Sequence, residues 1–167
     1  GDQGRGQLQF EYQSLMGELL DMDVATFPQY DGGSSLGHAM RMCKRLTGRN
    51  KVLVAASINS FALDIAKNYQ NQIDGDYCEI VLVKYDPDTG LLDIKDLEAK
   101  LDEETAGVII ENPTFLGTIE VNGRKIGEMA KAAGAEFVVY ADPISLGVIE
   151  APGSYGATIA CGDIHSL

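Results

Sequence analysis

The 167-residue sequence has no tryptophan, only three cysteines and only two histidines, so few side chains are available to bind a metal ion. Cys43, Cys78 and Cys161 stand far apart and form no C-x-x-C pair. Structural zinc sites usually take paired ligands from short loops, and we therefore predict no metal site. An odd number of scattered cysteines is typical of reduced thiols in the cytosol, which predicts a cytoplasmic protein.

The sequence also lacks long apolar runs and has few basic residues. No run approaches the roughly 18 consecutive apolar residues that a membrane helix needs, so we predict no membrane span. The chain carries 25 acidic and 13 basic side chains, a formal net charge of −12. Because this charge repels phosphates, we expect no binding to nucleic acid or anionic membranes. We also find no targeting segment at its beginning.

Short apolar runs alternate with helical patterns along most of the chain. Four continuous runs predict strands that are buried on both faces: Val52 to Ala56, Ile80 to Val83, Val108 to Ile110 and Phe137 to Ala141. Helical spacing follows the first three runs, at Phe61 to Ile73, Ile94 to Leu101 and Ile126 to Ala133. This alternation predicts an α/β fold, with a mostly parallel sheet and helices on both faces.

Two helical patterns precede the first strand. Residues 7–22 place apolar side chains at helical intervals, which predicts an amphipathic helix with one wide buried face. A second pattern runs from Leu36 to Leu46 and stops near Gly48. We interpret residues 1–167 as a single α/β domain that forms part of a longer chain.

Residues 86–93 are predicted to form a connection. The sequence Asp-Pro-Asp-Thr-Gly at its start is typical of a turn, and Asp93 is suited to cap a short helix. Its acidic residues resemble a calcium loop, but the glutamate that an EF-hand needs is missing.

One motif imitates a serine hydrolase. The pentapeptide at 33–37, GSSLG, fits the pattern G-x-S-x-G, and Ser35, Asp142 and His165 follow the chain order Ser, Asp, His of α/β-hydrolases. The nucleophile of such enzymes follows a strand directly, whereas residues 25–30 contain a proline and too few apolar side chains for one. A serine hydrolase is therefore an alternative hypothesis.

The same glycine-rich segment has a second functional interpretation. A turn at Gly33, Ser34 and Ser35 that opens a helix would direct free N–H groups and hydroxyls outward, which is a geometry that binds phosphate. The structural alternative is a plain helix start, with Asp31, Ser34 or Ser35 as N-cap and Gly32-Gly33 as a tight turn. The sequence contains neither a dinucleotide-binding fingerprint nor a P-loop.

Polar residues follow two of the predicted strands. Asp142 comes directly after the fourth run, while Glu111 and Asn112 follow the third, with Thr114 two residues later. Ligands of open α/β sheets bind at the carboxyl ends of the strands, so these positions are candidates for binding. Acidic and amide residues at strand ends also start turns, which is the structural alternative.

Taken together, these segments resemble the large domain of fold-type I pyridoxal-phosphate (PLP) enzymes. Residues 6–13, 30–35 and 151–157 are more narrowly similar to the glycine decarboxylase family, the P-proteins of the glycine cleavage system. Within that family they resemble subunit 1, the α chain of the split form. The resemblance covers almost the whole chain, and residues 151–157 are its most specific part.

The resemblance implies a reaction, a cofactor and partners. In the family, glycine loses its carboxylate as carbon dioxide with the help of PLP, and the aminomethyl group passes to the lipoyl arm of the H-protein. The turn at Gly33, Ser34 and Ser35 matches the family's phosphate-binding turn. Asp142 matches the aspartate that pairs with the pyridine nitrogen of PLP.

Two departures from the catalytic members of the family imply a non-catalytic role. Their lysine that binds PLP covalently follows a histidine, whereas here Ser166 follows His165. A histidine that stacks on the cofactor is replaced by Asn59, whose amide has no aromatic face. The resemblance therefore implies no catalytic residue in this chain and no covalently bound PLP.

The same departures suit subunit 1, which in the family leaves the cofactor to subunit 2. The predicted binding residues would then form a vestigial cleft, made by Gly33, Ser34, Ser35, Asn112, Thr114 and Asp142. A self-sufficient PLP enzyme whose lysine lies beyond Leu167 is the remaining alternative.

Overall fold

The computed structural model describes residues 1–70 and 77–167. The described elements are, in chain order, α1 (Gln3–Leu20), α2 (Gly32–Thr47), β1 (Lys51–Ala55), α3 (Ser60–Tyr69), β2 (Glu79–Val83), α4 (Ile94–Lys100), β3 (Thr105–Glu111), α5 (Gly123–Ala132), β4 (Glu136–Ala141) and β5 (Ile159–Gly162). Two short 3₁₀ helices, Pro143–Gly147 and Gly153–Tyr155, lie between β4 and β5. Ile73, which we predicted to belong to the third helix, lies outside the described residues.

The described strands form one parallel sheet in the order β2-β1-β3-β4-β5. Val54 in β1 lies between Leu82 of β2 and Ile109 of β3. The parallel arrangement confirms the prediction that was drawn from the continuous apolar runs, because a strand covered on both faces has no polar side to alternate with.

Helices cover the sheet on both faces, as predicted. One face packs against α2 and α3, through side chains such as Met40, Cys43, Ala66, Val54 and Ile109. The other face packs against α4 and α5, through side chains such as Leu97, Ile126, Leu53, Val108 and Phe137. Alternate residues of β1 and β3 therefore belong to opposite halves of the core.

The prediction that every strand is buried on both faces was wrong for β2. Glu79 is exposed and Leu82 is 45% exposed. Among the described strands, β2 lies at an edge of the sheet and pairs only with β1, so less of its surface is covered. Its sequence is as apolar as that of the inner strands, which is why composition alone did not reveal the edge.

The prediction of one wide buried face on the first helix was also wrong. Leu8, Phe10 and Leu15 are each about two-thirds exposed, and only Met16 and Gly17 of α1 are buried. The helix contacts the rest of the described chain mainly near its carboxyl end. Leu8, Phe10 and Leu15 therefore face solvent in the part of the chain that the structure describes, whereas Leu20 packs against the core.

The end of α1 is attached to the segment between β4 and β5. Asp21, its C-cap, has a left-handed backbone with φ of 54°, and its carboxylate accepts a 2.6 Å hydrogen bond from Oγ of Ser154. The carbonyl of Asp21 lies so close to Gly153 that any Cβ there would overlap it. This contact explains a glycine within the motif 151–157.

The turn and the cap predicted within residues 86–93, and the predicted end of the second helix, agree with the structure. Asp86 accepts hydrogen bonds from the N–H groups of Asp88 and Thr89, and Asp93 caps α4. Gly48 ends α2 with φ of 72°. Among the described helices, none is both long and apolar enough to cross a membrane.

Candidate functional site

Several predicted site residues lie at the carboxyl edge of the sheet. Strands β3 and β4 end just before Asn112 and Asp142. Helix α2 begins at the same edge, where a Cβ added to Gly32 would overlap the hydroxyl of Tyr140 in β4. The same Cβ would lie 3.2 Å from Cβ of Asp163, which follows β5. Segments from distant parts of the sequence therefore meet here.

Helix α2 begins with a capping box between Asp31 and Ser34. The N–H of Ser34 donates to Oδ1 of Asp31 at 2.6 Å, and the N–H of Asp31 donates to Oγ of Ser34 at 3.1 Å. The hydroxyl of Ser34 donates in turn to the carbonyl of Asp31 at 2.9 Å. A carboxylate thus occupies the positive end of this helix.

This geometry differs from the outward-facing turn that binds phosphate. Ser34 is buried and its hydroxyl faces Asp31, while Ser35 is half-buried and lines a neighbouring cavity. The expected tight turn at Gly32-Gly33 is absent, because both residues belong to the first turn of α2. They are glycines for close packing, since a Cβ on Gly33 would lie 2.6 Å from Ile65.

Asp142 is hydrogen-bonded to Ser166, the residue at the position of the family's lysine. Oγ of Ser166 donates to Oδ1 of Asp142 at 2.5 Å. The same oxygen of Asp142 accepts a 3.3 Å hydrogen bond from the N–H of Ile144, which starts a 3₁₀ helix. Asp142 is exposed to solvent, and both hydrogen bonds come from this chain.

Asn112 and Thr114 are buried and build the loop after β3. The amide of Asn112 donates to the hydroxyl of Tyr155 at 3.3 Å and accepts from the N–H of Glu120 at 3.0 Å. Oγ1 of Thr114 accepts from the N–H of Thr118 at 3.2 Å. These side chains share the edge with Asp142, but their polar atoms are used within their own loop and in the bond to Tyr155.

Asn59 acts as a helix cap. Its side-chain oxygen accepts hydrogen bonds from the N–H groups of Phe61 and Ala62, at 2.9 and 3.3 Å, and so begins α3. The residue at the position of the stacking histidine therefore stabilises a helix in this chain.

The proposed triad residues are not connected to one another. The carboxylate of Asp142 bonds to Ser166, and the hydrogen bond of His165 runs from its backbone N–H to Asp163. No hydrogen bond among residues 1–70 and 77–167 joins Ser35, Asp142 and the ring of His165. Ser35 also lies inside α2, with no strand leading into it. The geometry gives no support to the serine hydrolase hypothesis.

Two acidic residues, Asp31 and Asp163, lie near Tyr140. Neither was among the binding residues predicted from the sequence. Burial raises the pKa of Tyr140, and the charges of Cys161, Glu111, Asp163 and Asp31 raise it further. Asp31 and Asp163 approach this tyrosine from α2 and from the end of β5. The sequence indicated Asp31 only as a possible helix cap, and it could not show the grouping around Tyr140, because that grouping depends on how three elements pack.

Glu111, the last residue of β3, is a buried carboxyl group. Its Oε2 accepts hydrogen bonds from the N–H groups of Asn59 at 2.6 Å and Phe115 at 3.0 Å. Burial raises its pKa to about 7, although these two donors act to lower it. The sequence indicated this residue only as a polar strand end.

A cavity of about 820 Å³ lies beside this edge. It is bordered by residues 20–31, by the first turns of α2 and by β5, whose second edge has no strand partner among the described residues. Its lining is largely apolar and includes Met16, Met22, Phe27, Met42 and Ile159. Ser35 and Asp31 are among its polar lining residues.

The parallel sheet covered by helices on both faces is an α/β architecture, and the solved structures that match it have the fold of the fold-type I PLP-dependent transferases. Solved structures agree with this class. An aminotransferase from Eubacterium rectale matches 79% of the chain with a TM-score of 0.59 and 18% identity. The matched region is 35% of that aminotransferase. At this identity the likeness concerns the fold alone.

The chain belongs to the glycine decarboxylase family. The family described as "Glycine cleavage system P-protein" matches residues 2–167. The crystal structure of a glycine decarboxylase (P-protein) of the glycine cleavage system, in inhibitor-bound form, matches 96% of the chain with a TM-score of 0.85 and 34% identity. The matched region is 34% of that protein.

Curated relatives agree with this membership. The chain is 41% identical over 166 residues to the probable glycine dehydrogenase (decarboxylating) subunit 1 of Staphylothermus marinus, and 42% identical to that of Saccharolobus islandicus. The subunit 1 of Chlorobaculum tepidum is 41% identical over 165 residues. Each match covers 99% of this chain and 35 or 36% of the relative. The chain thus spans about a third of the length of these relatives.

Proposed function

We propose that this chain is part of a non-catalytic subunit 1 of glycine dehydrogenase (decarboxylating). In this role it supports the decarboxylation of glycine by a partner, subunit 2, and the transfer of the aminomethyl group to the lipoyl H-protein. Its similarity to chains named subunit 1 supports the assignment. We propose that it acts in the cytoplasm, in agreement with its reduced cysteines.

One observation carries the non-catalytic part of this proposal. Ser166 stands where the family's catalytic chains have a lysine, and its hydroxyl is bonded to Asp142. A serine hydroxyl cannot form the carbon–nitrogen double bond by which that lysine holds PLP. The aspartate that would pair with the cofactor is already engaged by this chain.

The other cleft residues also do not fit PLP. The phosphate would meet the carboxylate of Asp31 at the start of α2, where Ser34 is buried in the capping box. Asn59 has no aromatic face to offer, and its side chain caps α3. We therefore propose that PLP, which stabilises the negative charge left by decarboxylation, is held by subunit 2.

The exposed apolar side chains of α1 are what a subunit that binds a partner would need. Leu8 and Leu15 lie seven residues apart, and so on one side of the helix, and they are 67% and 70% exposed. Phe10, on another side, is 66% exposed. Exposed apolar side chains in such numbers are typical of a contact surface, and we propose that they contact subunit 2 in the complete enzyme. The competing possibility is that the remainder of this same chain covers them.

Reconstitution tests the supporting role. Full-length subunit 1, subunit 2 and H-protein are combined, and exchange of labelled bicarbonate into glycine is measured with each component omitted in turn. We expect exchange only when all three are present. Full exchange by subunit 2 and H-protein without subunit 1 would contradict the proposal.

Borohydride reduction separates the proposal from its alternatives. The full-length chain is incubated with PLP and reduced, and pyridoxyl adducts are located by mass spectrometry, with subunit 2 as the positive control. We expect a stoichiometric adduct on subunit 2 alone. A stoichiometric adduct on a lysine beyond Leu167 would favour the self-sufficient enzyme, while labelling of Ser35 by a fluorophosphonate would favour the hydrolase.

A further inference from the structure

Glu111 is a buried carboxyl group that has two backbone donors and no cation. Its side chain is 9% exposed, and its Oε2 accepts from the N–H groups of Asn59 and Phe115. Among the described residues, no lysine, arginine or histidine forms an ion pair with it. We call these two hydrogen bonds the Glu111 contact.

The Glu111 contact joins two separate loops at the carboxyl edge of the sheet. Residues 56–59 connect β1 to α3, and residues 112–122 connect β3 to α5. The N–H of Phe115 also donates to the carbonyl of Ser57 at 3.2 Å, so the loops touch at a second point beside the carboxyl group. If Glu111 were hydrated, these loops would have to move apart.

The segments held by this contact carry an exposed apolar surface. Phe61, in the first turn of α3, is 76% exposed, while Phe115 and Leu116 in the second loop are 56% and 52% exposed. The relative position of these three side chains depends on how the two loops meet. A change at Glu111 would therefore alter the surface beside the cleft.

The protonation state of Glu111 decides how costly its burial is. When a proton is on Oε1, the group is neutral and Oε2 still accepts both hydrogen bonds. When the proton leaves, a negative charge is buried with two N–H donors and no cation, which is costly. Burial accordingly raises the pKa of Glu111 to about 7.

The neighbouring titratable groups do not compensate the charge. Tyr140 of β4 faces Glu111, and beyond it lie Asp31 at the start of α2, Cys161 in β5 and Asp163 after β5. None of these groups can carry a positive charge. In the segment between β1 and α3, Asn59 and Ser57 contribute only uncharged groups.

We propose that the Glu111 contact makes the closure of these two loops pH-dependent, so that they stay together over the neutral carboxyl group and open more often when it ionises. Opening hydrates the carboxylate, so deprotonation shifts the equilibrium toward the open form. The inference rests on Glu111 and its two donors and does not depend on the subunit assignment.

Amide hydrogen exchange of the full-length chain tests the proposal. Protection of peptides covering 57–63 and 112–118 is measured from pH 6 to pH 8 and corrected for the intrinsic exchange rate. In the wild type we expect protection to fall by about tenfold over this range. The reason is that the carboxyl group is buried in the closed form and hydrated in the open form, so loss of its proton favours opening. In Glu111→Gln, which keeps an acceptor oxygen but does not titrate, protection should stay constant.

Glu120→Gln is the matched control. Glu120 is also buried, at 4% exposure, and accepts two backbone hydrogen bonds, from Leu92 at 2.7 Å and Asn122 at 3.0 Å. This variant should keep the wild-type pH dependence at 57–63. The same dependence in Glu111→Gln as in the wild type would overturn the proposal. If Glu111→Gln does not fold, the wild-type series decides: protection that falls from pH 6 and levels off above about pH 7 supports the proposal, and a flat series overturns it.

Discussion

Ser166 donates a 2.5 Å hydrogen bond to the carboxylate of Asp142, across the edge between β4 and the segment after β5. These are the two positions at which the resemblance implies a lysine and its partner aspartate in catalytic chains. In this chain the aspartate is retained, but its oxygen holds a neighbouring segment in place. Under the non-catalytic role that we propose, the aspartate would be kept for this structural contact.

Ser166→Ala tests this structural role. Removing the hydroxyl should weaken the attachment of residues 163–167 by about 0.5–1.5 kcal/mol, the usual net value of one hydrogen bond. Amide exchange in that segment should become faster. The control is Ser145→Ala, because Ser145 donates at 2.6 Å to the backbone carbonyl of the same aspartate. Equal exchange in wild type and Ser166→Ala would show that the bond contributes nothing.

Gly32→Ala should destabilise the chain because its Cβ would overlap the hydroxyl of Tyr140. Overpacking of this kind costs roughly 1–3 kcal/mol, measured as the free energy of unfolding in urea. Gly6→Ala is the control, since Gly6 lies in α1 and has open space around its Cβ position. That substitution should leave stability unchanged or raise it by up to about 1 kcal/mol. A Gly32→Ala variant as stable as the wild type would contradict the close packing.

Asn59→His restores the histidine that, by the resemblance, stacks on the cofactor in catalytic chains, and it removes the cap of α3. Since histidine is a poor N-cap, we expect a loss of about 1 kcal/mol in the free energy of unfolding. Asn59→Ser, which keeps a capping oxygen, should lose much less. We also expect no PLP binding by Asn59→His, as judged from the absorbance of the dialysed protein, because Ser34 and Asp142 remain engaged. Stable, stoichiometric binding would contradict the proposed misfit of the cleft.

Glu111 predicts a pH dependence of global stability. Its pKa in the folded chain is about 7, above the ordinary value of 4.5, so the folded state binds more protons between these values. The free energy of unfolding should therefore fall as pH rises from about 4.5 to 7, by roughly 1–3 kcal/mol from this group. In Glu111→Gln, urea unfolding at several pH values should show a decline smaller by that amount. An identical decline in both proteins would show that Glu111 does not cause this pH dependence.

The sequence predicted the parts of this structure that depend on local patterns. Continuous apolar runs located β1, β3 and β4, and the capping residue Asp93 located the start of α4. These signals work because burial on both faces and helix capping each require particular residues close together in the chain. The family resemblance added the prediction that Ser166 stands at the position of the lysine of catalytic chains.

The contacts of the candidate site could not be predicted in the same way. The bond between Ser166 and Asp142 joins residues 24 positions apart and depends on where β5 lies in the sheet. The exposure of α1 was missed because a helical pattern shows which side is apolar but not what covers it. Likewise, the sequence left open whether the segment 33–35 faces outward or starts a helix, and only the hydrogen bonds between Asp31 and Ser34 show that Ser34 faces inward.

Phe10 provides the test of the proposed partner contact. An aromatic side chain at the centre of an interface typically costs more than 1 kcal/mol of binding energy when truncated, so Phe10→Ser should weaken binding of full-length subunit 1 to subunit 2 by about tenfold or more. Leu46→Ser is the control, because Leu46 is similarly exposed, at 61%, but lies near the end of α2 away from the cleft.

Titration calorimetry measures the affinity, and the urea midpoint of each isolated chain is measured alongside it. If Phe10 contacts subunit 2, binding weakens while the midpoint of subunit 1 is unchanged. If instead Phe10 packs against the remainder of its own chain, the midpoint falls, and a lowered midpoint with unchanged affinity would contradict the partner contact.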